Sequence, residues 1–122
     1  MAWGSKVDAT QLTNITTEQF FSFGGSSNLS LNPGETMHVI VDFNPPGSPT
    51  DHLVVSVYGS VDGSNYDDTA FIQFYIDKAT DPNQASFLVS GLYNFRIGVK
   101  RSGTTDTITS ADCSYRKDGV SL

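Results

Sequence analysis

The chain has 122 residues, 38% of them hydrophobic and 11% aromatic, which is enough to bury one core without disulfides or a metal. Thirteen acidic residues against seven basic ones give a net charge of −6. This argues against a general nucleic-acid binder, which needs clustered Lys and Arg to neutralise phosphates. The one cysteine, Cys113, excludes an intrachain disulfide and a multi-cysteine zinc site, and no stretch reaches the ~20 apolar residues of a membrane helix.

From the start of the chain, Met1-Ala-Trp-Gly-Ser-Lys6 contains no apolar signal-peptide core, so the chain is expected to be made in a cytoplasm without a Sec signal. Residues 1–10 read as an N-terminal arm and 11–122 as a single domain. Trp3 stands among small and polar neighbours, suited either to anchor an interface or to fold back as a cap. Turn signals then punctuate the chain: Gly24-Gly25-Ser26-Ser27, Asn32-Pro33-Gly34, Asn44-Pro45-Pro46-Gly47, Asp62-Gly63-Ser64-Asn65, Asp81-Pro82-Asn83 and Ser102-Gly103. Between them the sequence predicts strands over 11–17, 19–23, 29–31, 36–44, 53–61, 70–77, 85–90, 93–101 and 105–116. No window supports an amphipathic helix, since β-branched, Gly and Pro residues interrupt each one; only 76–80 could form a short turn.

Eight or nine short strands at this spacing predict an all-β fold, a two-layer antiparallel β-sandwich, with a jelly roll favoured over an Ig-like Greek key. Alternation assigns the core. Met37, Val39, Val41 and Phe43 share one face of their strand, as do Leu53, Val55, Val57 and Val61. Ile72, Phe74 and Ile76 should join them, which leaves Phe71 and Tyr75 exposed on the other face as a candidate interface. Phe21 and Phe23 fall on one face and Phe20 on the opposite one.

The last two strands read as a hairpin. Pairing Val99 with Thr107, Ile97 with Thr109, Phe95 with Ala111 and Tyr93 with Cys113 keeps their apolar faces together. That register sets Lys100 opposite Asp106 and Arg96 opposite Ser110, and it turns Ile108 outward. Residues 1–95 carry a net charge of 2 − 10 = −8 and residues 96–122 one of 5 − 3 = +2. The predicted hairpin is therefore the basic pole.

No catalytic constellation is present. His38 and His52 are not at metal-ligand spacing, and neither Gly-x-Ser-x-Gly nor a P-loop occurs. Asp62-Gly-Ser-Asn-Tyr-Asp-Asp68 is rich in oxygen ligands, but it lacks the EF-hand order, and Asp-Gly is a strong turn dipeptide; a plain turn is the preferred reading. Cys113 shares parity with Ala111 and Tyr115, as a buried thiol does. The expectation is a protein without enzymatic activity, metal or cofactor.

Three segments together, 55–68, 93–107 and Tyr115-Arg-Lys-Asp-Gly119, resemble small structural proteins of tailed-bacteriophage virions, above all capsid decoration or cement proteins of sandwich fold, and less closely neck or tail components. The resemblance covers about the C-terminal half. It implies a domain on the virion surface that binds the major capsid protein and stabilises the shell, as a homo-oligomer such as a trimer, with no nucleic-acid or membrane partner. The residues expected to make the contact are Trp3, Arg96, Lys100, Arg101, Arg116 and Lys117. The alternative from another class is a carbohydrate-binding β-sandwich, for which Tyr58, Tyr66, Asn65 and Asp67 would supply rings and polar groups.

Overall fold

The computed structural model describes residues 2–79, 83–91 and 94–119, the side chains of Ala2 and Trp3 excepted. Among these residues there is no helix, and eleven strands form two antiparallel sheets packed face to face. In chain order they are β1 (Ala2–Trp3), β2 (Val7–Asp8), β3 (Leu12–Ile15), β4 (Gln19–Phe20), β5 (Leu29–Ser30), β6 (Glu35–Asn44), β7 (Leu53–Ser60), β8 (Ile72–Ile76), β9 (Gln84–Val89), β10 (Asn94–Arg101) and β11 (Ile108–Gly119).

The first sheet places β1, β2 and β3 one after another along β11, followed by β6 and β9; the second places β4 and β5 along β10, followed by β7 and β8. If β1–β3 count as one strand position and β4–β5 as another, the sheets run first–eighth–third–sixth and second–seventh–fourth–fifth. This is the order of a jelly roll.

The edge made by β1–β3 is broken in a regular way. Trp3 pairs with Asp118 and Val7 with Tyr115, then Asp8 with Ser114 and Leu12 with Ala111. At each break the edge advances four residues while β11 advances three, the single-residue excess of a β-bulge. Backbone bonds from Gly4 N–H to Lys117 O (2.8 Å) and from Ala9 N–H to Cys113 O (2.9 Å) hold the breaks against β11. Only glycine fits the first, because a Cβ at Gly4 would lie 2.6 Å from Lys117 O. Residues 1–10, read from sequence as an arm, thus contribute β1 and β2 to this edge.

The inward residues of β6, β7, β10 and β11 form the core, with Met37, Val39, Val41, Leu53, Val55, Val57, Phe95, Ile97 and Val99 fully buried. Val61, expected beside them, is 94% exposed because β7 ends at Ser60 and the chain turns away.

The predicted hairpin does not form. β10 pairs with β4, β5 and β7, and β11 with β1, β2, β3 and β6, so the two run in opposite sheets. Shared parity misled here: two strands whose apolar faces meet across a core alternate just as two neighbours do. The partners predicted for Val99, Ile97 and Phe95 are replaced by Val55, Val57 and Gly59 of β7. Tyr93 lies outside the described residues.

Ile108 is buried rather than outward, and it pairs with Ile15. Leu12 and Ile15 both face inward although three residues apart, as do Ala111 and Ile108 on the partner. Asn14, with a left-handed φ of 51°, makes that change of face.

Asp106 does not meet Lys100. Its Oδ2 accepts the backbone N–H groups of Thr50 (2.7 Å) and Asp51 (2.8 Å), while Asp51 Oδ2 accepts those of Thr105 (3.1 Å) and Asp106 (2.9 Å). The two carboxylates, 4% and 7% exposed, brace the crossing from β10 to β11 reciprocally. A Cβ at Gly103 would collide with Asp51 Oδ1.

Candidate functional site

The outer face of the second sheet carries most of the unusual side chains. Alternation on β8 turns Ile72, Phe74 and Ile76 toward the core, so Phe71 before it and Tyr75 within it face out, 61% and 67% exposed. Tyr75 stacks on His52 with ring centroids 6.0 Å apart, and His52 Nδ1 accepts the backbone N–H of Lys78 at 3.1 Å. Gln73, between the two aromatics, donates to Ser56 Oγ at 2.9 Å.

Across β7 the same face holds Arg96 of β10. Its guanidinium carbon lies 3.7 Å from the Phe20 ring centroid and 4.3 Å from that of Tyr66, so the cation rests against two rings. Phe20 reaches this position because β4 alternates, turning Phe21 into the core and Phe20 outward. Phe20 also meets Tyr58 edge to face at 5.9 Å, and the Tyr58 hydroxyl donates to the Glu18 carboxylate (2.8 Å to Oε2). Partial burial and that bond push the Tyr58 hydroxyl above the ordinary tyrosine range. The Tyr66 hydroxyl donates to Asn28 Oδ1 (2.8 Å) and Gly63 O (3.0 Å). Among the described residues no hydrogen bond or ion pair reaches the Arg96 guanidinium, whose Nε is buried. It is held in place by stacking, with donors to spare.

The cations expected to act together are dispersed. Arg96 and Lys100 project from the outer face of the second sheet, opposite Tyr58 and Val54. Arg101, at the end of β10, donates to Asp106 O at 2.7 Å and so belongs to the brace. Arg116 and Lys117 sit on β11 in the other sheet, opposite His38 and Met37, with Arg116 Nε 3.5 Å from Asp118. The backbone of Trp3 pairs with Asp118; its side chain lies outside the described residues. What sequence reading missed is the union of Phe20, Tyr66 and Arg96. The outward parity of Phe20 was legible, but nothing local brings residues 46 and 30 positions apart onto one ring stack.

The remaining candidates are occupied by structure. Asp62 accepts the backbone N–H groups of Ser64 and Asn65 (both 2.8 Å), the Asn65 side-chain amide and the Ser60 hydroxyl, which hold its carboxyl well below the usual range. The Asp62–Asp68 segment is thus a turn, with Gly63 at φ 78°. No group of three or more His, Cys, Asp or Glu stands in metal-holding geometry among the described residues. The Cys113 thiol is buried, and burial with nearby Asp42 pushes it far up, away from the reactive thiolate. On the outer face of the first sheet Asp42 pairs directly with Asp112; partial burial and that like charge raise the Asp42 carboxyl.

No protein-family model matches the chain, and no curated protein sequence matches it. Among solved structures, the chain is similar to a subunit of Bacillus endospore appendages, which are described as forming a novel family of disulfide-linked pili. The identity is 16% and the TM-score 0.57, over 98% of this chain and 88% of that one. At that identity the likeness is one of fold: this chain shares its β-sandwich architecture with a structural, pilus-forming protein.

Proposed function

We propose that this chain is a non-enzymatic structural subunit that docks on the outside of a tailed-phage capsid and stabilises the shell. The observation that carries the reading is the outer face of the second sheet, where exposed Phe71 and Tyr75 lie on the same sheet as the ring-clamped Arg96. Aromatic residues and Arg dominate the residues that anchor protein interfaces, and a guanidinium immobilised by stacking loses little entropy when it meets a carboxylate. The partner is the major capsid protein. Stabilisation comes by mass action, from area buried across neighbouring shell subunits. The shared fold with a pilus protein supports the structural role; the capsid as the site of that role rests on the sequence resemblance.

The test is quantitative mass spectrometry of gradient-purified particles, with Tyr75→Ala and Arg96→Ala as variants. A copy number near that of the shell protein, reduced in both variants, is expected. A few copies per particle would mean a neck or tail component. Absence from particles overturns the reading, and glycan binding abolished by Tyr66→Ala would then make the chain a carbohydrate-binding module.

A second reading, a filament subunit assembling with its own copies, is favoured by the fold shared with the appendage protein. Such a filament would be held without Cys113, which is the only cysteine and is buried. Negative-stain microscopy of the purified chain decides it.

A further inference from the structure

The two sheets end on one side of the sandwich at β8 and β9, each of which, among the described residues, is paired on one side only, β8 with β7 and β9 with β6. Phe74 of β8 and Phe87 of β9 touch edge to face, with centroids 5.3 Å apart, so both free edges border the same flank. Neither strand, Ile-Gln-Phe-Tyr-Ile nor Gln-Ala-Ser-Phe-Leu-Val, contains a charge, a proline or a glycine. These are the devices by which sheet edges ordinarily refuse a further strand. Their inward residues Ile72, Phe74, Ala85 and Phe87 pack on the core yet are only half-buried, and Leu88 is 62% exposed.

We propose that this flank joins a second copy of the chain about a two-fold axis, β8 against β8 and β9 against β9, so that both sheets continue from one molecule into the next. A two-fold perpendicular to the sheets reverses strand direction, so both junctions are antiparallel and form together. The half-covered apolar residues of one copy then cover those of the other. Geometry favours this occupant, because a partner must present two sheet edges at the spacing of β8 and β9, and a second copy does so by symmetry. Two chains of net charge −6 repel unless they meet on neutral ground, and both strands supply it; a nucleic acid would need cations that neither strand carries. The inference rests on the structural-subunit reading for the use to which the dimer is put, but the contact itself is measured separately.

The experiment is sedimentation equilibrium of the full chain over roughly a hundredfold range of concentration, with amide hydrogen exchange at both ends of the range. The mass is expected to rise from 13.2 kDa to twice that value, with amides of β8 and β9 gaining protection as it does. The double variant Gln73→Lys, Ser86→Lys places one charge on each edge at exposed outward positions. It should stay at the single-chain mass, with the denaturation midpoint that the unmodified chain shows at the dilute end of the range. A wild-type chain that remains single at the highest concentration overturns the proposal, as does a variant that still dimerises. A trimer, or protection confined to other strands, also overturns it. A single chain found at high copy on particles would sink this inference and leave the docking role standing; a dimer absent from particles would do the reverse.

Discussion

Among the described residues, an edge-to-face aromatic pair closes each flank of the sandwich, Phe23 with Tyr115 on one side and Phe74 with Phe87 on the other, yet the two flanks are built on opposite principles. Behind the first pair Ile15, Phe21 and Leu29 are buried, and the edge outside them is divided into short strands by bulges on β1–β3 and by the excursion at Gly24-Gly25 between β4 and β5. Behind the second, inward residues stay half-covered and the edges run uninterrupted. One flank is sealed and unreceptive, the other thinly covered and receptive. A domain that worked alone would have reason to protect both.

The largest expected effect tests the seal. Phe21→Ala should cost about 3–5 kcal/mol, because a fully buried ring leaves a cavity, whereas Phe74→Ala at the half-covered flank should cost about 1–2 kcal/mol. Equal losses in urea denaturation would erase the distinction. Next comes the crossing between the sheets. Asp51→Ala removes the acceptor for the Thr105 and Asp106 N–H groups, and about 1–3 kcal/mol should be lost in the same assay.

Acid acts on that brace directly. The N–H groups of Asp51 and Thr50 lower the Asp106 carboxyl below its unfolded value, so its contribution is present at neutral pH and is lost as pH falls from about 4 through the folded-state value. Asp42, raised in the fold, contributes with the opposite sign and favours the folded state as it protonates. Denaturation midpoints of Asp106→Asn should therefore fall less steeply below pH 4 than those of the unmodified chain. Gly4→Ala, which forces a Cβ against Lys117 O, should loosen the start of the sealed edge, costing about 1–2 kcal/mol and showing as faster amide exchange near Val7 and Tyr115. Smallest of all, Gln73→Lys on the receptive edge should leave stability within about 0.5 kcal/mol; a larger loss would mean that its bond to Ser56 is part of the core architecture.

The layer arrangement was legible in the chain because strand periodicity and turn residues are local signals. Met37, Val39, Val41 and Phe43 declared their face, and so did the outward Phe71 and Tyr75. Which strand neighbours which was less legible. Val99 and Ile97 alternate identically whether β11 lies beside them or across the core, and Asn14 shifts the parity of β3 with no hydrophobic cue. The Arg96 stack stayed hidden for the same reason. It depends on β4 joining β10 at Phe20–Gly98, a long-range pairing that no neighbouring residue announces.

The position of β11 has a consequence for how the chain acquires its shape. The last strand in sequence lies in the middle of the first sheet, between the edge formed from residues 2–15 and β6. Until β11 is available to it, that sheet has no centre: β1–β3 lack their partner strand and one side of β6 is unpaired. Completing this sheet joins segments far apart in sequence, a long-range closure that slows folding among domains of this size and exposes forms lacking β11 to aggregation.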